Sequence, residues 1–294
     1  MQFSDNTRGA MLMMASMASF TFGDTAVKAL GALGMPLSQI LVIRGSVATL
    51  FIVVLAASIG QLRLRLPRKD LGLVVLRSAA EVASAYFFLT ALIHMPIANV
   101  AALLQMLPLT VTLGGALFFA EAVGWRRWIA IAVGFCGMLL IVRPGTDGFD
   151  AWSVYALIAV AGVTVRDLAT RRMSAQVPSL TVTAWASVCV LIFAAIWSVG
   201  QDWIAVDTQA TWLLAATSLF IVGGYTFSVM VMRVGDVSFV APFRYTGLVW
   251  ALILGWFVFG DWPSSLTLVG ATLIVGMGLF TLWREAQVKR RKRP

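Results

Sequence analysis

Residues 238–262 read SFVAPFRYTGLVWALILGWFVFGDW, an apolar run long enough to cross a bilayer. Arg244 lies about one third of the way along this run, at a depth where charged side chains are rare and commonly functional. Its guanidinium needs protein or water around it, because the hydrocarbon core offers no hydrogen-bond partner. The run therefore predicts a membrane-spanning helix that turns one side towards the interior of a larger bundle.

A second stretch resembles the first. Residues 98–125 read ANVAALLQMLPLTVTLGGALFFAEAVGW, and they align with the first stretch at an offset of about 140 residues. Both stretches pass a polar position, cross a glycine and end in an acid: Gln105, Gly115 and Glu121 in the earlier one, and Arg244 with Tyr245, Gly255 and Asp261 in the later one. Elsewhere Tyr86 corresponds to Tyr225, and Asp24 loosely to Asp167. The chain therefore reads as two copies of one unit.

Composition places the chain in a membrane. Of its 294 residues 60% are hydrophobic and 12% are charged, and the mean hydropathy is +0.89. An ordinary soluble domain has about 45–50% apolar residues. The apolar runs are continuous and helix-length, which excludes a transmembrane barrel with its short alternating strands. We predict an all-α integral membrane protein with ten transmembrane helices, near residues 10–32, 36–59, 71–93, 96–120, 127–143, 151–173, 179–199, 210–232, 237–259 and 264–284.

The ten helices are predicted to form an inverted repeat. Five helices per copy is an odd number, so the second copy enters the membrane from the opposite side to the first. We place the first half at residues 1–145 and the second at 146–294. Such repeats are typical of secondary transporters, in which one half rocks against the other around a central site. A duplicated bundle without transport activity is the alternative.

The distribution of basic residues predicts the orientation. Lys and Arg concentrate in the loops on one side, and a basic segment, KRRKR, closes the chain. The positive-inside rule then places both termini in the cytoplasm. The net charge of +9 lies largely in this tail, which favours contact with anionic lipid headgroups over nucleic-acid binding.

The whole chain from about residue 10 to 284 resembles the drug/metabolite transporter superfamily, in particular its bacterial EamA-type ten-helix carriers. The resemblance rests on the helix-end acids Glu121 and Asp261, on the Gly-bearing helices that follow (GFCGMLLIVRP and GATLIVGMGLFTLWR), and on the stretch around Arg244. Asp261 stands where the family more often has Glu. The resemblance implies metabolite transport, including export of amino acids, across the inner membrane, without identifying the metabolite.

Several charged side chains are predicted inside the spans. The bases are Arg44, Arg77, Arg166 and Arg244, with Lys28 near a helix end, and the acids are Asp24, Glu81 and Asp167. Each is expected to face protein or water, because insertion of a charge at mid-helix costs on the order of 3 kcal/mol. Ion pairs that hold helices in register are one interpretation, with Asp24, Lys28, Arg44, Arg166 and Asp167 as gating or ion-pair residues. The other uses the excess of bases, which suits a cavity for a carboxylate-bearing substrate.

Aromatic and polar residues at similar depth complete the predicted site. Substrate-binding candidates are Arg244, Tyr245, Trp250, Glu81, Arg77, Tyr86, Gln105, Asn99, Tyr225 and Trp185. Pro108 is expected to kink the fourth helix one turn after Gln105, as a gate element. The predicted walls are the first, third, fourth, sixth, eighth and ninth helices.

The sequence therefore predicts a secondary transporter that moves small metabolites by alternating access. Amino acids, including aromatic ones, are the favoured cargo; vitamins, nucleotide derivatives and cationic drugs are the alternatives. Enzyme motifs such as GxSxG and HExxH are absent from the sequence, which disfavours an intramembrane enzyme. Neither a cofactor nor a metal is predicted, since the chain has a single His, His94, and two isolated cysteines. The expected partners are a small-molecule substrate and membrane lipid, and the chain is expected to be a monomer or homodimer.

Overall fold

The computed structural model describes residues 5–63, 65–120, 124–146, 149–174, 176–231, 234 and 237–291. Within these residues the chain is helical and contains no strand, as predicted. The helices are α1 (Asp5–Ala32), α2 (Leu37–Ser58), α3 (Arg68–His94), α4 (Ile97–Leu104), α5 (Leu107–Phe119), α6 (Trp125–Val142), α7 (Trp152–Arg172), α8 (Ser179–Ser198), α9 (Thr208–Val231), α10 (Val237–Val240), a 3-10 helix (Ala241–Tyr245), α11 (Thr246–Phe259) and α12 (Ser265–Arg291).

The described helices make ten spans. Nine of them are apolar and long enough to cross a membrane, when α4 with α5 and the 3-10 helix with α11 each count as one span. The tenth is α1, which is 28 residues long but carries Asp24 and Lys28. It packs along α9 and so buries its polar side in protein. We call the membrane face at which α1 begins and α12 ends the terminal face, and the other the opposite face.

The packing has the two-fold symmetry of an inverted repeat. If α1, α2, α3, α4–α5 and α6 correspond to α7, α8, α9, α10–α11 and α12, then the contact between α1 and α9 maps onto the contact between α7 and α3. The contacts of α2 with α8, α4 with α11 and α6 with α12 each map onto themselves. The prediction of two inverted five-helix halves is therefore confirmed.

Two glycines meet at the crossing of α6 and α12. A Cβ on Gly137 would lie 2.7 Å from the carbonyl oxygen of Gly270, and a Cβ on Gly270 would lie 2.5 Å from that of Gly137. Both distances are far below an ordinary contact. Small residues allow membrane helices to approach this closely, because no side chain keeps the two backbones apart. Close packing then holds the helices together, since lipid provides no hydrophobic force between them.

The helix breaks also repeat. In the first half α4 ends before Gln105, and in the second the 3-10 helix ends at Tyr245, 140 residues later. Pro108 lies in the first turn of α5, where its missing N–H costs no hydrogen bond. The kink predicted near Pro108 is present, and the break itself falls at Gln105 and Met106.

The ends of α5 and α11 match as well. Each helix stops at a residue in the left-handed region, Ala120 with φ 51° and Gly260 with φ 70°. The acid Asp261 follows directly, and its backbone N–H bonds to the carbonyl of Gly255. Its predicted counterpart Glu121 lies outside the described residues.

Candidate functional site

Charged side chains from α1, α2, α3 and α7 form ion pairs inside the bundle, and one of these pairs joins the two halves. Arg166 binds Asp167 at 2.9 Å and reaches across to Glu81 at 3.4 Å. Glu81 also pairs with Arg77 at 3.7 Å, one turn away on α3. We call these four residues, together with Asp24 and Arg44, the central network.

Asp24 and Arg44 extend this network towards the opposite face. Their closest charged atoms are 3.8 Å apart, and their side chains are 18% and 12% exposed. At this burial each charge depends on its partner, because a lone charge away from water is costly. The pair therefore ties α1 to α2 across the interior of the bundle.

Tyr225 on α9 stands among these charges. It lies within electrostatic range of Glu81, Arg44, Arg77 and Arg166. Its ring packs edge-on against Phe20 of α1, with the centroids 5.6 Å apart. An aromatic side chain surrounded by both signs of charge provides apolar contact and polar contact to one ligand.

Two atoms of the central network have unused hydrogen-bonding capacity. Within the described residues, Nη1 of Arg44 and Oε2 of Glu81 are buried and have no hydrogen-bond partner, although Oε2 lies 3.7 Å from Nη1 of Arg77 in their ion pair. Buried polar atoms are nearly always satisfied, so each exception calls for an explanation. One atom is a cationic donor and the other an anionic acceptor, which is the complement of a carboxylate and an ammonium group.

The aromatic candidates lie in different parts of the bundle. Tyr86 packs against Trp197 with centroids 5.2 Å apart, between α3 and α8. Trp250 lies 5.9 Å from Phe22, between α11 and α1. Trp185 lies elsewhere: it is 37% exposed and lines an apolar groove between α3 and α8 that contains none of the central network. The amphipathic indole at this outer surface suits contact with lipid.

Gln105, Tyr245 and Asn99 lie near the helix breaks. Both Gln105 and Tyr245 are buried, and a Cβ on Gly247 would come within 3.9 Å of the Gln105 amide nitrogen. The Tyr245 hydroxyl packs so closely on Gly278 of α12 that a Cβ there would overlap it. Within the described chain the Tyr245 hydroxyl and Oδ1 of Asn99 are also buried without hydrogen-bond partners. These two atoms are additional potential contacts for a ligand.

Lys28 belongs to the opposite face and not to the central network. Its Nζ donates to the carbonyl oxygens of Leu92 at 3.2 Å and Met95 at 2.7 Å. It also lies 5.3 Å from the centre of the Phe259 ring. The ammonium therefore joins α1, the end of α3 and the end of α11, and it helps to close this end of the bundle.

A cavity of about 350 Å³ opens on the terminal side of the central network. Its charged lining residues are Arg127, Arg171, Arg244 and Asp167, and Pro108 forms part of its wall. We call it the terminal-face cavity. Asp167 is shared, because it lines this cavity and also pairs with Arg166 of the central network.

The deep charges thus separate into three groups. We expected five bases and three acids around one cavity, but the central network has three of each, with Lys28 at the opposite face and Arg244 in the terminal-face cavity. The cause is helix depth, since Lys28 and Arg244 lie near opposite ends of their spans. The excess of positive charge lies in the terminal-face cavity.

Arg127 and Arg171 were missed as potential ligand contacts. The sequence assigned both to loops, where basic residues indicate orientation. In the structure they lie in the first turn of α6 and the last turn of α7, on the cavity side of each helix. Their neighbours Arg126 and Arg172 instead lie over the rings of Trp125 and Phe119. The direction in which each residue points around its helix distinguishes Arg127 and Arg171 from their neighbours, although sequence alone does not locate the cavity.

The second helix was not among the predicted walls of the site. In the structure α2 supplies Arg44 to the central network.

The described residues contain no group of three His, Cys, Asp or Glu side chains placed to hold a metal. His94 stacks on Trp152 with the ring centroids 3.9 Å apart, at the opposite face. This contact gives His94 a packing role.

Comparisons with known proteins extend over the whole chain. The model of the EamA-like transporter family matches residues 7–143 and again residues 150–283. A riboflavin transporter of Vibrio cholerae is 27% identical over 97% of this chain and 96% of its own length. The pseudopaline exporter CntI of Pseudomonas aeruginosa is 28% identical over 90% of this chain and 93% of its own. A protein of known crystal structure is 18% identical and superposes with a TM-score of 0.66 over 98% of this chain and all of the other, which shows the shared fold.

Proposed function

The chain belongs to the EamA-like transporter family, and from that premise we propose that it carries amino acids, including aromatic ones, across the membrane by alternating access. Membership confirms the resemblance drawn from the two acid-terminated stretches. The family assignment and the ten spans make the chain a multi-pass membrane protein that transports small metabolites. Carriers of this kind need no catalytic residues.

One observation carries the choice of cargo: within the described residues Arg44 Nη1 and Glu81 Oε2 are both buried without a hydrogen-bond partner. A guanidinium donor suits the carboxylate of an amino acid, and a carboxylate acceptor suits its ammonium group. Tyr225 lies within electrostatic range of both residues and presents an aromatic ring beside Phe20. An aromatic side chain of the cargo would pack against these rings.

Both unsatisfied atoms are shielded from solvent, which supports alternating access. A cargo reaches them after the two halves move apart. Lys28 is part of the closure at the opposite face, while the terminal-face cavity approaches the network from the other side. The central network joins helices of both halves, so its ion pairs are suited to change partners during this movement.

Transport by purified protein tests this proposal. In proteoliposomes, labelled phenylalanine or tryptophan is expected to enter in a saturable manner and to be displaced by unlabelled amino acid. The analogue 3-phenylpropionate has the same ring and carboxylate but no ammonium group, so it should compete at least about tenfold more weakly. Competition by the analogue as strong as by phenylalanine would refute the role of Glu81.

A vitamin is the second candidate cargo. The relative from Vibrio cholerae is named as a riboflavin transporter, and the aromatic rings around Tyr86 and Tyr225 suit a planar ligand. Riboflavin therefore belongs in the same uptake assay. Uptake of riboflavin without uptake of any amino acid would replace the first proposal by the second.

We place the protein in the inner membrane with both termini in the cytoplasm. The basic loops at the terminal face support this orientation. Single cysteines introduced at Arg65 and Asp207, in a chain without Cys136 and Cys189, test it by labelling of intact cells with a membrane-impermeant maleimide. The Asp207 variant should react and the Arg65 variant should react only after the membrane is permeabilised; the reverse pattern would overturn the orientation.

A further inference from the structure

The terminal-face cavity concentrates positive charge beyond the central network. Among the described residues, its charged lining consists of the guanidinium groups of Arg127, Arg171 and Arg244 and the carboxylate of Asp167. That carboxylate already binds Arg166 at 2.9 Å. Within the part of the chain that the structure describes, the cavity lining therefore carries more positive than negative charge.

The lining offers a ligand the guanidinium N–H groups of Arg127 and Arg244. The two threonines of the lining, Thr112 and Thr281, donate their hydroxyl hydrogens to the carbonyls of Pro108 and Met277 within their own helices. The other described lining residues, which include Leu107, Val111 and Leu282, are apolar. Forked guanidinium donors on an apolar surface match the oxygens of a phosphate group, which accepts paired hydrogen bonds from arginine.

Neighbouring arginines on the same helices avoid the cavity. Arg126 lies over the ring of Trp125, with its guanidinium carbon 5.3 Å from the centroid, whereas the adjacent Arg127 lines the cavity. The same alternation separates Arg172 from Arg171 at the end of α7. Arg127 and Arg171 therefore line the cavity, whereas the adjacent Arg126 and Arg172 of the same basic membrane face contact aromatic rings.

We propose that the terminal-face cavity is a phosphate-binding site, distinct from the cargo site at Arg44 and Glu81. Its volume of about 350 Å³ accommodates a phosphate group with part of the molecule that bears it. The phosphate comes either from a soluble metabolite or from the headgroup of an anionic lipid at this membrane face. Asp167 links the site to the central network, so a bound phosphate group would compete with Asp167 for nearby guanidinium groups.

Binding by purified full-length protein in an uncharged detergent tests the site with two probes. Inorganic phosphate is titrated at constant ionic strength and followed by ³¹P line broadening, with chloride as the reference anion. Phosphatidylglycerol is followed by native mass spectrometry, with phosphatidylcholine as the reference lipid. At least one probe should bind more strongly than its reference.

Variants assign the binding to the cavity. Arg127→Gln and Arg244→Gln should each weaken binding by about tenfold, since each removes charge-assisted hydrogen bonds. Arg126→Gln removes the same charge one residue away and should change binding less than about twofold. Thermal unfolding of each variant identifies any that fails to fold, and two independent cavity variants keep the test decisive.

The outcomes separate the sources of the phosphate. Displacement of phosphatidylglycerol by inorganic phosphate indicates a site open to soluble phosphates, and lipid adducts that persist in excess phosphate indicate a headgroup site. Absence of binding to either probe, or an equal loss in Arg126→Gln and Arg127→Gln, overturns the proposal. Neither result involves transport, so the proposed cargo is tested separately.

Discussion

Replacement of Arg44 by Gln is expected to reduce saturable amino-acid uptake at least about 30-fold, the equivalent of about 2 kcal/mol. Nη1 of Arg44 is the buried cationic donor that lacks a hydrogen-bond partner within the described residues. The substitution removes the positive charge opposite the carboxylate of the cargo. Initial rates over a range of substrate concentrations, measured in proteoliposomes, give the loss in kcat/KM.

Arg44 also stabilises the fold, and a second variant separates the two roles. Arg44→Gln leaves Asp24 as a buried acid without its ion-pair partner, so the single variant should unfold at a lower temperature. In the double variant Asp24→Asn/Arg44→Gln no charge is left unpaired, and stability should return towards that of the unmodified chain. Uptake should remain low. Recovery of transport together with stability in the double variant would show that Arg44 is a structural residue alone.

Helix-level features were predictable from the sequence because they depend on local patterns. Membrane helices follow from long apolar runs, and the inverted repeat follows from the alignment of the Gln105 stretch with the Arg244 stretch. The break near Pro108 follows from proline geometry. The pairing of Arg77 with Glu81 follows from their spacing of four residues on one helix.

Contacts between helices could not be predicted in the same way. The ion pair of Arg166 with Glu81 joins α7 to α3, and it depends on the rotation and depth of both helices. The same is true of Lys28, which the structure brings to the carbonyls at the end of α3. Sequence spacing carries no information about either. Charges expected in one cavity therefore fall into three separate groups.

The crossing of α6 and α12 has one feature that the sequence predicts and one that it does not. Glycines in these two helices were visible in the sequence as part of the family resemblance. Which of them meet was not visible, since Gly134, Gly137, Gly270, Gly276 and Gly278 all lie in the same two spans. The structure identifies Gly137 and Gly270 as the reciprocal pair.

The double variant Gly137→Ala/Gly270→Ala is expected to lose about 2–6 kcal/mol of stability, since each overpacked site costs about 1–3 kcal/mol. Each new methyl group would press on the carbonyl oxygen of the facing glycine, at 2.7 and 2.5 Å. A backbone carbonyl inside a helix cannot rotate away as a side chain does. The two helices must therefore separate, with loss of the contacts along their length.

Gly276→Ala provides the matched control, because a Cβ at position 276 meets nothing within 4 Å. It lies on α12, six residues after Gly270, so it makes the same chemical change in the same helix. Here alanine should be neutral or stabilising by up to about 1 kcal/mol, from its higher helix propensity. Thermal unfolding in detergent compares the variants. Helix propensity favours alanine at all three positions. A gain of stability at Gly276 and a loss at the Gly137–Gly270 pair would therefore isolate the contribution of the close crossing. A double variant as stable as Gly276→Ala would mean that α6 and α12 do not approach this closely.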